Sequence, residues 1–334
     1  MSLPPSWFEL VPKVELHLHL EGAIPLPTLW QLVRKYGAAD EVGSLAALTE
    51  RFTYRDFPHF LDTWFWKNGF LRAYEDFTLI AEAVARALVA QRVLHAEVFF
   101  SPPDFPGLAP ARLAEAIREG LDRVPEASVL LVADLVRDSG PQQAARTLAA
   151  LEGTRPLGVV GIGIGGSEHR FPPAPFAAVY ERARTLGLRT SAHAGEAAGP
   201  ASVWSALVDL RADRLGHGTR AVEDPRLVAE LAARRVPVEA CPLSNLRTGV
   251  CPALTAHPVR AFFDAGIPCS INTDDPEMFG TTLAGELSAL HHHLGFTAAE
   301  LRQLTMQAAR DSWLPEPARQ QLLTRVAEDP AWDG

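Results

Sequence analysis

Lysine is nearly missing from this 334-residue chain: of its 31 basic residues only Lys13, Lys35 and Lys67 are lysines, and the arginines are scattered rather than grouped. With a formal net charge of −9, no basic face is available for a phosphate backbone, which argues against nucleic acid as a partner and for a small molecule. Cysteine is scarce as well. Cys241, Cys251 and Cys269 form an odd set without CxxC spacing, so the thiols read as small buried apolar residues of a protein from a reducing cytoplasm. Apolar runs of about 18 or more residues are absent, and Met1 to Pro5 reads as leading straight into the first strand without a basic-then-apolar leader. Neither a membrane span nor a secretion signal is therefore expected. Repeats of about 20–50 residues and Pro/Gly/Ser-rich linkers are lacking too, which makes residues 1–334 one expected domain.

What the chain has in quantity is alternation. Strand-like apolar runs are expected at Lys13–Leu20, Val93–Phe100, Ser128–Val136, Gly158–Ile164, Leu188–Ala194, Arg214–His217, Val236–Ala240 and Pro268–Asn272, with helix-like segments between them. Such a series predicts an α/β fold of the (β/α)8 TIM-barrel type. Extra helices are expected in two places. One set is inserted after strand 1, with a helix at 27–36, an aromatic segment at 52–70 and a long helix at 75–90; the other, at 285–293, 298–309 and 316–327, ends the chain. The first is longer than a crossover needs and reads as a lid or substrate wall.

In this architecture chemistry gathers at the C-terminal ends of the strands. Strand 1 ends in His17-Leu18-His19-Leu20-Glu21, strand 5 in His193-Ala194-Gly195-Glu196, strand 6 in Gly216-His217-Gly218 and strand 8 in Asn272-Thr273-Asp274-Asp275. Side chains two apart on a strand share a face, so His17 and His19 are presented together, with Glu21 next along that face. A zinc with an open position takes three or four protein ligands, and His17, His19, His193 and Asp274 are the candidates. Glu196, His217 and Asp275 cannot all be ligands without closing the site, which leaves them for proton transfer and substrate contact. Cys241 ends strand 7 but has no spaced partner and is left out. His291-His292-His293 point different ways around a helix and read as a surface or helix-end run.

Taken with Leu215-Gly216-His217-Gly218 and Cys241-Pro242-Leu243-Ser244-Asn245, these stretches resemble the adenosine deaminase family of amidohydrolase barrels over nearly the whole chain. The resemblance implies that zinc-activated water attacks C6 of an adenine ring and ammonia is lost. It implies that Glu196 protonates ring nitrogen N1, that His217 orients and deprotonates the water, that Asp275 meets N7, and that the Gly166 amide faces N3. His19 and Glu21 would border the substrate. Related two-metal barrels carry a carbamylated lysine on strand 4; Gly158–Ile164 has no lysine, so one Zn2+ per chain is expected.

The chain departs from plain adenosine deaminases by Glu21 and Gly163, where those enzymes usually carry Asp. Glu at the first position resembles the branches acting on adenine or on 5′-modified adenosines such as aminodeoxyfutalosine. On that reading Trp64, Phe65 and Trp66 would wall an aromatic 5′ group, and Lys67, Arg72 or Arg170 would meet its carboxylate. The expected activity is thus deamination of the 6-amino group of an adenine-type nucleoside, with free adenine as the rival substrate. A zinc-stabilised barrel that only binds purines, and an esterase or lactonase using the same activated water, are the readings from other classes. Oligomeric state is left open.

Overall fold

Eight parallel strands, each hydrogen-bonded to the next in chain order, form the centre of the computed structural model, which describes residues 3–55 and 57–333. Met1 and Ser2 of the expected leader-free start, Asp56 of the aromatic insertion and the terminal Gly334 lie outside the described residues. The strands are β1 (Lys13–His19), β2 (Val93–Phe100), β3 (Val129–Asp134), β4 (Val159–Gly163), β5 (Arg189–Ala194), β6 (Arg214–His217), β7 (Val238–Ala240) and β8 (Cys269–Ile271). Nearly all of their residues are buried, as in strands of a parallel sheet covered on both faces. β2 and β6 match their expected spans; the others lose a residue or more at their ends, where apolar pattern continues into turns.

The ring closes between its first and last strands. β8 is only three residues long, so the closing contacts come from just beyond it. The His19 amide donates to the Asp274 carbonyl at 2.9 Å and the Asp274 amide to the His17 carbonyl at 3.1 Å, an isolated bridge between Leu18 and Asp274. Side chains complete the seam: Asn272 Oδ1 accepts from the Leu16 amide at 2.7 Å, and Glu15 Oε1 from the Thr273 amide at 2.7 Å. Every polar backbone group in a buried seam needs a partner, and here side chains supply those that a longer β8 would have provided.

Two local readings change. The chain does not run straight into β1, because Pro5–Leu10 forms a helix whose Trp7 and Phe8 are buried, Trp7 against Trp332 and Phe8 against His291 and His292. The three histidines accordingly sit in the last turn of helix Leu283–Leu294, where His291 Nδ1 bonds the Phe296 carbonyl. β1 also stops at His19 rather than Leu20. Leu20 takes helical angles (φ −53°, ψ −46°) and starts a 3₁₀ turn, Glu21–Ala23, which breaks the strand alternation and takes Glu21 off the face of His17 and His19. The insertion after β1 folds as helices Leu26–Lys35, Ala39–Val42, Leu45–Glu50, Phe57–Asn68 and Tyr74–Ala90. Helices Leu283–Leu294, Ala298–Asp311 and Glu316–Ala327 follow β8. Among the described residues no helix is long and apolar enough to cross a membrane.

Charge runs through the barrel interior. Arg214 on β6 pairs with Glu97 of β2 at 2.5 Å and with Glu239 of β7 at 2.6 Å, all fully buried, while its guanidinium lies 3.6 Å over the Trp313 ring. Removing one partner of such a group strands the others without water. The substitution Arg214→Met should therefore cost about 3–5 kcal/mol of stability, read as a lowered midpoint in guanidinium unfolding.

Candidate active site

His17, His19, His193 and Asp274 converge at the C-terminal end of the barrel, with one donor atom of each within 4.8 Å of all the others. His19 Nε2 lies 3.2 Å from His193 Nε2 and 3.3 Å from Asp274 Oδ1, and His17 Nε2 lies 3.4 Å from that same oxygen. Atoms bound tetrahedrally about 2.0–2.1 Å from one zinc would be roughly 3.3–3.4 Å apart, so the donor set fits such an ion. His17 Nε2 is buried without a hydrogen-bond partner. Its Nδ1 bonds Glu239 Oε2 at 2.8 Å, an outer carboxylate of the kind that fixes a ligand imidazole's tautomer. Asp274 is anchored through Oδ2, which accepts from the Ser244 hydroxyl at 2.6 Å.

The electrostatics suit a cation. Burial lowers the pKa of His19 to about 3 and drives that of His193 far down, with neighbouring imidazoles adding to the effect on both. Burial disfavours the charged form of Asp274 too, but the neighbouring imidazoles, that of His17 at 3.4 Å first among them, outweigh it and hold the carboxyl well below its ordinary range. His17 is likewise buried, yet the nearby carboxylates of Asp274 and Glu239 raise it to about 10; the proton so favoured sits where a metal would bind. Cys241 also comes within reach of His17 and His217. Burial pushes its thiol well above the usual range, so it stays protonated and is a poor metal ligand.

His217 enters with a defined tautomer. The Val259 amide donates to His257 Nδ1 at 3.2 Å, so neutral His257, whose pKa burial lowers to about 3, carries its proton on Nε2. That nitrogen meets Asn245 Oδ1 at 3.1 Å, which also accepts from Thr219 at 2.9 Å. The Asn245 amide nitrogen therefore faces His217 Nδ1, at 3.1 Å, and donates to it. His217, kept neutral by burial with a pKa near 4, then carries its own proton on Nε2, 3.6 Å from Glu196 Oε2. Glu196 is pushed up to about 8, first by burial and then by the charges of Asp274 and Glu168, and so is a carboxylic acid at neutral pH.

Three non-glycine residues at this end have left-handed backbones: Val136 (φ 46°), His217 (φ 61°) and Asp274 (φ 64°). All three line one cavity at this end of the barrel. Strained backbone held by surrounding structure is characteristic of functional sites. His19, His193, Glu196, Gly166 and Asp275 are also on its wall, together with Phe60, Leu61, Trp64 and Phe65 of the insertion.

Other expected contacts lie elsewhere. Glu21 is fully buried off the cavity, accepting from the Ser101 amide at 3.0 Å. Lys67 is buried, bonded to the Glu21 carbonyl at 2.7 Å with its amine 4.0 Å over Trp64. Arg170 leans over Phe171, and Arg72 lines an adjoining hollow that shares Phe65 and Asp104 with the first. Among the described residues no lysine or arginine lines the cavity itself, whereas Asp104, Asp134 and Asp138 do. Asp134 ends β3 and could have been found by the strand-end rule. Asn245 stands in the Cys241–Asn245 stretch but without an assigned role, and Glu239 and His257 carried no sequence signal, because their roles depend on what each touches. Gly163 has its own reason: a Cβ there would lie 2.6 Å from the Phe99 ring, which stacks on His19.

A family model described as adenosine deaminase matches residues 12–329. The aminodeoxyfutalosine deaminase of Streptomyces coelicolor is 36% identical over 327 residues, 96% of this chain and 83% of that protein. The adenine deaminase of the same organism is 38% identical over 316 residues, 91% of this chain and 89% of that protein. Among solved structures, an amidohydrolase from Burkholderia ambifaria with bound Zn superposes with a TM-score of 0.90 at 28% identity, covering 100% of this chain and 94% of that one. That bound zinc and the clustered donors here support a metal cofactor. With its family model spanning nearly the whole barrel, the chain belongs to the adenosine deaminase family, whose members are hydrolytic deaminases.

Proposed function

We propose that this protein is a mononuclear zinc hydrolase that removes the 6-amino group from an adenine-type purine nucleoside. The observation that carries the reading is the convergence of His17, His19, His193 and Asp274 at one end of the barrel, with Glu196 beside His19, His193 and Asp274 on the cavity wall there. Those four residues would hold a single zinc, which when bound lets a water act as nucleophile near neutral pH. An aromatic C6 is a poor electrophile until N1 is protonated, and Glu196 is the acid positioned to do so. Once ionised, it is the carboxylate that collects the proton shed by the attacking water. His217 presents N–H at Nε2, so it orients the water and stabilises developing negative charge as a donor; the deprotonating half of its expected role passes to Glu196. Asp275 and the Gly166 amide bracket the ring at N7 and N3.

The substrate's far end is read from the insertion. The wall of Phe60, Leu61, Trp64 and Phe65 suits an apolar 5′ group, and the adjoining hollow beyond Phe65 offers Arg72 to an anion. This supports a 5′-extended nucleoside of the aminodeoxyfutalosine kind. Free adenine is the second reading, favoured because among the described residues no lysine or arginine lines the catalytic cavity. Glu21 then acts from behind, holding the Ser101 turn instead of meeting substrate.

Chelation should abolish turnover and one equivalent of zinc per chain should restore it; full activity in metal-free protein would sink the assignment. Glu196→Gln should keep its zinc and lose about 10²–10⁴-fold in kcat, and a near wild-type rate would mean that another group protonates the ring. Absorbance assays on adenine, adenosine, deoxyadenosine, methylthioadenosine and aminodeoxyfutalosine should give the highest kcat/KM with aminodeoxyfutalosine. A preference for adenine would select the second reading.

A further inference from the structure

The segment carrying Glu196 has no regular structure: β5 ends at Ala194, and the next helix starts at Pro200. Yet the catalytic acid needs a fixed position, because a displacement of about 1 Å can cost 10²-fold in rate. One side chain supplies the restraint. Glu168, just after the Gly165-Gly166-Ser167 stretch on the cavity wall, is 2% exposed. Its Oε1 accepts from the Gly195 amide at 2.6 Å, and its Oε2 from the amides of Glu196, Ala197 and Ala198 at 3.0, 2.7 and 2.9 Å. Four consecutive backbone donors thus converge on one buried carboxylate. The chain reaches this arrangement through Gly195, at φ +78°, where a Cβ would lie 2.6 Å from Val203.

We propose that Glu168 is a positioning residue for the deamination step: it clamps the Gly195–Ala198 loop and so sets where the Glu196 carboxyl stands against the substrate ring. Glu168 itself does not line the cavity, so it acts through Glu196 and not on the substrate. This rests on the reading of Glu196 as the proton donor. It also ties two walls of the site together, since the loop after β4 that presents Gly166 holds the loop after β5 that presents Glu196. A purely structural clamp would alter the yield of folded protein and leave the catalytic constants of the folded fraction alone.

A double-mutant cycle separates these cases. Glutamine at 168 keeps one acceptor oxygen but turns an NH2 group toward backbone donors. In folded, zinc-loaded protein, Glu168→Gln should lower kcat by about 100-fold, with KM changed less than about threefold and zinc content equal to wild type. In a Glu196→Gln background the same change should cost less than about threefold more, because the group it positions is already gone. Full additivity of the two losses, or an unchanged kcat in Glu168→Gln, would overturn the proposal. A near wild-type rate for Glu196→Gln alone would instead remove the underlying reading of Glu196. Should Glu168→Gln fail to fold, Glu168→Asp carries the same cycle, with a smaller kcat loss that again vanishes when Glu196 is Gln.

Discussion

The pairing of Leu18 with Asp274 closes the barrel and sets the site at once. Its two backbone hydrogen bonds run from His19 to Asp274 and from Asp274 to His17, so the residues that join the first strand to the last are also three of the four that gather round the candidate metal position. Distances within the cluster are thereby tied to the register of the sheet. A shift of one residue along this seam would turn the imidazoles to the opposite face. Asp274 holds a left-handed backbone at that point, a conformation that costs a non-glycine residue energy and persists only where its surroundings demand it.

Around this seam the structure arranges partners in shells. His17 is held by Glu239, Glu239 by Arg214, and Arg214 by Glu97 and the Trp313 ring, so the site is connected through the barrel interior to the C-terminal segment. His217 is held by Asn245, and Asn245 by His257. That second chain decides protonation as well as position, because each donor forces the tautomer of the next. Two histidines a few ångströms apart come to differ in kind: Nε2 of His17 is the position a metal would take from a proton, while His217, held from Nδ1 by Asn245, keeps its proton on Nε2.

The insertion after β1 gives the cavity its apolar wall, and segments at and just after the ends of β2 and β3 give it acids. Phe60, Leu61, Trp64 and Phe65 cover one side, while the acids Asp104, Asp134 and Asp138 line the rest. The few lysines take no part in that lining. Lys67 is consumed by the turn beneath it, where it bonds the Glu21 carbonyl and the Asn68 side chain. Cation–π contact with Trp64 then places an aromatic ring at the mouth. A buried lysine is here a part of the wall's frame, and Arg72 lies farther out, on the adjoining hollow.

The sequence by itself determined the barrel, since alternating apolar strands and helices admit few other architectures. It also determined the ends at which His17, His19, His193, Glu196, His217, Asp274 and Asp275 would meet, because strand direction assigns chemistry to one face of such a barrel. Tertiary structure alone decided the rest. Glu21 left the face of His19 because Leu20 turned helical, a local event that strand periodicity does not register. Lys67 and Arg170 missed the cavity because side-chain direction depends on what packs around them. Glu168, Glu239, Asn245 and His257 gained their roles through contacts with residues 12 to 222 positions away, and a hydrogen bond between distant residues leaves no periodic trace in the chain that forms it.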